Sequence, residues 1–265
     1  MTTDLVELAF FPPRNGSRSW SSSKAYERLR ELWLWRYLER IELPVARVLG
    51  GRRPFLYTLG QQGVPLVERR AGTATLPVQP RRLDRLDHLF IDHDLKAAAL
   101  WANVLAQLRG RRGCRWLWLG ERELRARRMR VRSPQGNYWL PFLPDAYLEV
   151  HYPNGDIQCA VVEIDMGTLT LRRFGRKLQA FEAALEDQVY RRHFKREGEF
   201  EVLILTHSRR RLATLRGVAT RVVPAGRWDQ YYLATFEVLE PARFASADWQ
   251  DLEGDIVHSV LWNVE

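Results

Sequence analysis

Three carboxylates in the C-terminal half have the spacing of a site that binds a divalent cation. Asp145 follows Pro144, while Glu163 and Asp165 come eighteen and twenty residues later, beyond a Pro-Asn-Gly turn. The turn predicts two paired strands that place Asp145 beside Glu163, with Glu163 and Asp165 on one face of their strand. Three converging carboxylates repel one another unless a cation neutralises them, and oxygen ligands suit Mg²⁺ or Mn²⁺. Such an ion can activate water and stabilise charge on a phosphate during its transfer.

A simpler interpretation of the same carboxylates is structural. Asp145 would then cap a turn, and Glu163 or Asp165 would end a strand in solvent. Glu163 argues against this interpretation because it interrupts the otherwise apolar run 159–164, which is typical of a buried central strand. A buried carboxylate without a partner is energetically costly. The sequence therefore predicts Asp145 and Glu163 as metal ligands, with Asp165 as a further ligand or a base.

The segments around these carboxylates predict a sheet covered by helices. After the two strands, residues 170–194 keep apolar side chains at helical spacing almost without error. The segment 199–208 then has the composition of a buried strand, residues 208–219 favour a helix, and residues 231–239 favour another strand. The order β-β-α-β-α-β indicates an α/β or α+β domain, which we place at residues 83–265.

The pattern of strand with Pro-Asp, turn, strand with Glu-x-Lys and helix resembles the PD-(D/E)XK nucleases. Here Asp165 stands where that pattern has its lysine. The resemblance implies a mixed sheet flanked by helices, and in related nucleases the following helix supplies the lysine instead. Lys177 lies on the predicted helix in a chain with only four lysines, so it is the candidate replacement. The alternative for Lys177 is a solvated surface position.

Most of the chain from about residue 24 also resembles the replication-relaxation family of plasmid and mobile-element proteins. This resemblance implies a winged helix followed by a nuclease-like domain, and it does not specify a biochemical activity. Its short motifs are Leu86-Asp87-His88, Trp116, Pro144-Asp145-Ala146, Glu163-Ile164-Asp165-Met166-Gly167-Thr168, Lys177-Leu178, Val202–Thr206 and Arg211-Leu212.

The N-terminal segment 1–75 has the features of a winged-helix-like module. Serines 21–23 precede a predicted helix at 24–40, and a Gly50-Gly51 turn lies before the strand-like run 55–59. Only about 23 residues precede this helix, so the earlier helices of a complete winged helix must be short or missing. The predicted DNA contacts are Lys24, Arg28 and Arg30 on the helix, with Arg52 and Arg53 on the wing. The alternative is a solvated charged face packed beside Trp33 and Trp35.

The net charge of +9 favours a polyanionic partner, although nearly all the basic residues are arginine, a bias that coding preference can also produce. Ten arginines lie between residues 109 and 132. They predict a basic arm that contacts phosphate, with Arg125, Arg127 and Arg128 as its candidate DNA-binding residues. The alternative is a solvated arm without a ligand.

Other features limit the compartment and the class of protein. No run of eighteen apolar residues predicts a membrane span, and the N-terminus lacks the features of a secretory signal. The two cysteines, Cys114 and Cys159, are expected to be isolated thiols, which indicates a cytoplasmic location. No glycine-rich phosphate loop or nucleophile motif favours a small-molecule enzyme.

Two functions remain open from the sequence. In the first, the chain is a DNA-binding protein of a plasmid or mobile element, whose nuclease-like domain serves replication, mobilisation or transposition without established catalysis. In the second, it is an active Mg²⁺- or Mn²⁺-dependent DNA endonuclease or nickase that uses Asp145, Glu163, Asp165 and Lys177. DNA is the expected partner in both, together with other mobile-element or replication proteins.

Overall fold

The computed structural model describes residues 1–11, 22–42, 55–71, 88–133, 136–186, 189–196, 199–240 and 243–261. The chain divides into two compact units, Met1–Ala106 and Gln107–Glu265. The domain limits predicted at residues 75 and 83 fall within 72–87, outside the described residues, and they stay predictions.

In the first unit, a two-stranded antiparallel ribbon follows two helices. Thr2 caps the first helix and also forms a bridge with Leu56, so the start of the chain pairs with the ribbon. Leu8 and Ala9 of this helix pack with Ala102 and Leu105 in a small apolar core. The elements are α1 Thr3–Phe10, α2 Ser22–Leu34, β1 Leu38–Glu42, β2 Phe55–Leu59, α3 Val64–Ala71 and α4 His88–Arg109.

The helix predicted at 24–40 is shorter than expected, because α2 ends at Leu34 and residues 38–42 form β1. The chain reverses at Arg36, which has a φ of 59°. Gly60 allows this turn, since a Cβ there would lie 2.5 Å from the carbonyl oxygen of Arg36. The guanidinium of Arg40 then lies 3.9 Å from the Trp33 ring centroid and 4.0 Å from that of Phe55. Strand pairing and this stacking outweigh the local preference for helix.

The second unit contains a seven-stranded mixed sheet. Its strands are β3 Arg115–Gly120, β6 Ala146–His151, β7 Ile157–Asp165, β8 Glu201–Thr206, β9 Tyr231–Thr235, β10 Trp249–Gln250 and β11 Ile256–Val257; a separate hairpin contains β4 Arg130–Arg132 and β5 Trp139–Pro141. The order in the sheet is β11-β10-β9-β8-β7-β6-β3. The strands β7, β8 and β9 are parallel, and the remaining pairs are antiparallel. The helices are α5 Glu121–Ala126, α6 Leu171–Glu186, α7 Val189–Phe194 and α8 Arg209–Val222.

One face of this sheet packs against α6 and α8 and forms the main core of the unit. The apolar stripe of α6 supplies Phe174, Leu178 and Phe181, each fully buried. Ser208 caps α8 by accepting a hydrogen bond from the Arg211 amide, so that helix starts directly after β8. A mixed sheet flanked by helices confirms the predicted α+β class.

Two predicted elements differ in extent from the structure. The helix expected at 170–194 is two helices, since α6 ends at Glu186 and α7 begins at Val189. The strand expected at 231–239 ends at Thr235 and continues as a 3₁₀ turn, Phe236–Leu239. Among the helices in the described ranges, none has the length and apolar character needed to cross a bilayer.

Candidate nuclease-like site

The first carboxylate of the site is fixed at the junction of two strands. The backbone amide of Asp145 donates to the Val162 carbonyl at 2.9 Å, which extends the pairing of β6 with β7 by one residue. The Asp145 Oδ2 accepts a 2.7 Å hydrogen bond from the Ile164 amide. Asp145 is therefore joined to β7 by one backbone hydrogen bond and one carboxylate hydrogen bond, and its side chain is buried.

Lys177 connects the two carboxylates that the sequence predicts as metal ligands. It lies on α6, between the core residues Phe174 and Phe181. Its ammonium is hydrogen-bonded to Glu163 Oε2 and lies 3.5 Å from Asp145 Oδ1. The carboxylates are almost fully buried, whereas 26% of the Lys177 side chain is exposed. The structure thus brings Asp145, Glu163 and Lys177 into one cluster, in which Lys177 can be reached from solvent.

The charge state of Lys177 follows from two opposing effects. Burial lowers the pKa of the ammonium, but the nearby carboxylates of Glu163 and Asp145 raise it by more, and the net shift is upward. Lys177 therefore carries a positive charge at neutral pH. A fixed cation of this kind can stabilise charge on a bound phosphate.

Asp165 lies two residues beyond Glu163 on the same face of β7, but its contacts are different. Arg211 holds both carboxylate oxygens, with Nε 2.8 Å from Oδ2 and Nη2 2.9 Å from Oδ1. The Thr206 hydroxyl donates to Oδ2 at 2.9 Å. Arg211 also donates to the Leu169 carbonyl at 2.7 Å, which fixes the loop after β7. A role for Asp165 as ligand or base stays a prediction, and the structure shows it in a bidentate ion pair.

Arg211 is a site residue to which the sequence interpretation gave no role. It appeared only within a short family motif, in the helix after β8. The hydrogen bond and the charge of Asp165 raise the pKa of its guanidinium despite partial burial. No spacing rule predicts this pair, because 46 residues and a complete strand separate its members.

Another buried carboxylate lies on β6 itself. Glu149 accepts hydrogen bonds from Arg196 Nε at 2.8 Å and from the Tyr147 hydroxyl at 3.0 Å, and Arg196 Nη2 and His151 Nε2 contact its other oxygen. Burial acts to raise the pKa of Glu149, but the hydrogen bonds from Arg196, His151 and Tyr147 lower it to about 2. This Glu149–Arg196 cluster was not anticipated from the sequence.

The predicted DNA contacts on the first unit are only partly within the described residues. Lys24, Arg28 and Arg30 are exposed on α2, and their contact with DNA stays a prediction. Arg28 forms an ion pair with Glu31 at 3.0 Å. Arg52 and Arg53 lie outside the described residues.

The three arginines predicted for the basic arm have unequal surroundings. Arg125 is paired with Glu121 through a 2.9 Å hydrogen bond from its Nε. Arg127 donates to the His193 carbonyl at 2.8 Å and lies 5.1 Å from the Phe194 ring centroid. Arg128 is exposed at a φ of 49°. Their role in DNA binding stays a prediction.

Asp145 and Glu163 are the residues of the site that could hold a magnesium-type cation. Within the part of the chain that the structure describes, no three His, Cys, Asp or Glu residues are grouped so as to hold a metal ion. Mg²⁺, however, is often bound by one or two carboxylates together with water and substrate phosphates. Asp145 and Glu163 supply two such carboxylates from adjacent strands, both within reach of Lys177.

A family model described as replication-relaxation matches residues 1–203. The chain belongs to the replication-relaxation family. No curated protein and no solved structure matches it. Family membership suggests a role in the replication or mobilisation of a plasmid or other mobile element.

The replication-relaxation match includes the residues that form the shared-lysine arrangement, Asp145, Glu163 and Lys177. It ends inside β8, so Thr206 and Arg211 lie beyond it. The partners that hold Asp165 therefore come from the part of this replication-relaxation protein that the family model does not reach.

Proposed function

We propose that this replication-relaxation protein binds DNA and that Asp145, Glu163 and Lys177 form the active site of a divalent-cation-dependent endonuclease or nickase. The observation that carries the proposal is the contact of one ammonium with two carboxylates from neighbouring strands. This combination of two acids and a lysine is what the PD-(D/E)XK pattern needs. It forms here although Asp165 occupies the usual lysine position of the motif.

Each residue has a distinct task in the proposed reaction. Asp145 and Glu163 would hold Mg²⁺ or Mn²⁺, which when bound supplies Lewis acidity and makes water a better nucleophile at neutral pH. Lys177 would stabilise the negative charge that develops on the phosphate. Water forms a bond to phosphorus, the bond from phosphorus to one ester oxygen breaks, and a proton passes to that oxygen. Arg211 and Asp165 would position the loop after β7.

Cleavage of supercoiled plasmid tests the proposal directly. The purified protein is incubated with plasmid in Mg²⁺, Mn²⁺ or EDTA, and nicked and linear products are resolved on a gel. We expect nicking in either metal and none in EDTA. Asp145→Asn and Glu163→Gln should abolish nicking, since each change removes a charged ligand while keeping the size of the side chain.

Glu149→Gln is the matched control, because Glu149 is also a buried glutamate on a strand of the same sheet. It should retain nicking at a temperature where the variant is folded. Metal-independent nicking, or nicking that survives Glu163→Gln, would contradict the proposed site and point to a contaminating nuclease.

A non-catalytic DNA-binding protein is the second candidate function. It is favoured by the position of the Lys177 ammonium, which contacts both carboxylates and can replace a metal ion rather than assist one. In that case the wild-type protein binds DNA in EDTA, and it does not nick DNA in Mg²⁺ or in Mn²⁺. Binding without nicking would support this second function over the first.

We also propose that the first unit binds duplex DNA as a winged helix. Support comes from the order of α1, α2, β1 and β2, from the pairing of Thr2 with Leu56, and from the exposed Lys24, Arg28 and Arg30 on α2. Lys24→Ala/Arg30→Ala should weaken duplex binding and reduce its dependence on salt. Unchanged affinity and salt dependence would remove α2 from the DNA interface.

A further inference from the structure

The hairpin that precedes Asp145 has one buried face and one exposed face of unusual composition. In β4 and β5, Arg130 pairs with Pro141, Val131 with Leu140, and Arg132 with Trp139. Val131 and Leu140 are buried in the core. The alternate positions are therefore exposed, and we call Arg130, Arg132 and Trp139 the hairpin face. It combines two arginines with a tryptophan that is 57% exposed.

The groups on the hairpin face suit an unpaired nucleotide. The Arg132 guanidinium carbon lies 5.3 Å from the centroid of the Trp139 ring, so a cation and an aromatic surface are adjacent. Tyr138, the neighbouring residue, is also exposed. Aromatic rings stack on nucleobases regardless of their identity, and arginines contact the phosphates between them. A base inside a duplex already stacks on its neighbours and does not offer its face in this way.

The hairpin is fixed to the helix that carries Lys177. The Phe142 amide donates to the Met129 carbonyl at 3.1 Å, which extends the pairing of β4 and β5. The Phe142 ring is fully buried and meets Phe181 of α6 with ring centroids 5.7 Å apart. Phe181 lies about one helical turn after Lys177. The hairpin face is thus preorganised with respect to the candidate site.

The distance from the hairpin face to the site is short along the chain. Asp145 is the sixth residue after Trp139, so their Cα atoms are at most about 20 Å apart. A strand bound at Asp145 and Lys177 can therefore continue to the hairpin face. Two other arginines of this region have structural contacts, Arg125 with Glu121 and Arg127 with the His193 carbonyl. The hairpin face is the basic surface nearest to Asp145 in sequence, whereas Arg172, Arg173 and Arg176 are exposed on α6 next to Lys177.

We propose that the hairpin face binds unpaired DNA beside the phosphate that is cut, with a base on Trp139 and phosphates on Arg130 and Arg132. The proposal rests on the proposed function and specifies its substrate, a single strand or a locally melted duplex. Trp139 would select unpaired bases, whereas the two arginines would add affinity without sequence preference.

Binding in EDTA separates recognition from cleavage. Fluorescently labelled single-stranded oligo-dT and a duplex of equal length are titrated with the full-length protein, and anisotropy is measured at several salt concentrations. Trp139→Ala should weaken single-strand binding about fivefold or more, the loss of one stacked base. Duplex binding should change much less. Trp139→Phe should retain most of the affinity, because a phenyl ring still stacks.

The arginines are tested in the same titrations. Arg130→Ala/Arg132→Ala should weaken single-strand binding and lower the slope of log Kd against log salt by about one to two. Trp116→Ala is the control for an exposed tryptophan, and Arg221→Ala/Arg243→Ala is the control for lost charge, since these residues are exposed elsewhere on the unit. We expect both controls to match the wild type.

The outcomes distinguish the two proposals. If the wild type binds duplex and nicks plasmid, and Trp139→Ala binds single strands as tightly as Trp116→Ala, the hairpin proposal alone is wrong. If the wild type binds neither form of DNA, both proposals are wrong. If Trp139→Ala retains DNA binding but changes the elution volume of the purified protein on size exclusion, the hairpin face contacts a second copy of the chain, which also overturns the hairpin proposal.

Discussion

Two buried carboxylate clusters lie on the same face of the central sheet and use their cations differently. In the nuclease-like site, Lys177 divides one ammonium between Asp145 and Glu163. In the Glu149–Arg196 cluster, a single carboxylate receives two guanidinium nitrogens, a tyrosine hydroxyl and a histidine ring nitrogen. The first cluster has two acids for one lysine, and the second has several donors for one acid.

The difference in partners predicts that the two clusters respond differently to the loss of a partner and to ligands. A carboxylate held by several donors is locked, and its lowered pKa of about 2 records that stabilisation. A shared ammonium can turn to a phosphate while a divalent cation takes its place between the carboxylates. We therefore expect the Glu149–Arg196 cluster to control stability and the Lys177 site to respond to ligands.

The largest effect on stability is expected from Arg196→Ala. The change leaves the Glu149 carboxylate buried without its guanidinium partner, which costs about 3–5 kcal/mol in comparable cases. Urea denaturation monitored by tryptophan fluorescence measures the loss. Arg221→Ala removes an exposed arginine from the end of α8 and serves as the control. Equal stability of the two variants would show that the cluster does not hold this part of the fold.

Lys177→Ala should make the stability of the folded protein depend on a divalent cation bound at the nuclease-like site. Without the ammonium, Asp145 and Glu163 repel each other, and Mg²⁺ or Mn²⁺ can relieve this repulsion by binding only the folded protein. Saturating metal should then restore about 2–3 kcal/mol. The measurement is the melting temperature with metal and with EDTA. Arg196→Ala should gain no such stabilisation, and an equal gain in both variants would contradict a specific cation site.

The pH dependence of stability should separate Glu149 from the other carboxylates. Its folded-state pKa of about 2 lies below the usual 4.5, so its contribution is present above pH 4.5 and is lost as the pH falls towards 2. By pH 3 the wild type should lose about 2 kcal/mol more than Glu149→Gln, relative to each protein at pH 6. Parallel curves for the two proteins would assign acid sensitivity to other groups.

Thr206→Val is expected to have the smallest effect. It removes the hydroxyl that donates to Asp165 and leaves the bidentate pair with Arg211 in place. Losing one hydrogen bond to a charged group should cost about 1–2 kcal/mol and leave nicking intact. Chemical denaturation and the plasmid assay measure the two results. A complete loss of nicking in a folded Thr206→Val protein would give Asp165 a direct part in the reaction.

Local sequence was sufficient for the parts of the site that lie close together in the chain. A short turn connects β6 to β7, so the register that places Asp145 next to Glu163 follows from their spacing and from strand alternation. The apolar stripe of α6 likewise predicts a helix packed on the sheet, and it places Lys177 beside the buried face. These features depend on periodicity, which a single sequence contains.

Contacts between distant segments could not be predicted in the same way. Arg196 reaches Glu149 over 47 residues, and Arg211 reaches Asp165 over 46. The shortened α2 has a similar cause, since residues 38–42 become a strand by pairing with β2. These ion pairs and the end of α2 depend on which segments the folded chain brings close together. At residues 38–42, tertiary pairing outweighs the local preference for helix.

The sequence by itself determined the α+β class, the family and the acidic and basic residue types of the candidate site, because patterning and short motifs are local properties. The tertiary structure alone decided how the charges are distributed among those residues. Asp165 is paired with Arg211, Glu149 is surrounded by hydrogen-bond donors, and Lys177 lies between Asp145 and Glu163. The physical reason is that a buried charge must find its partners in space, and only the packed sheet and helices fix which ones are within reach.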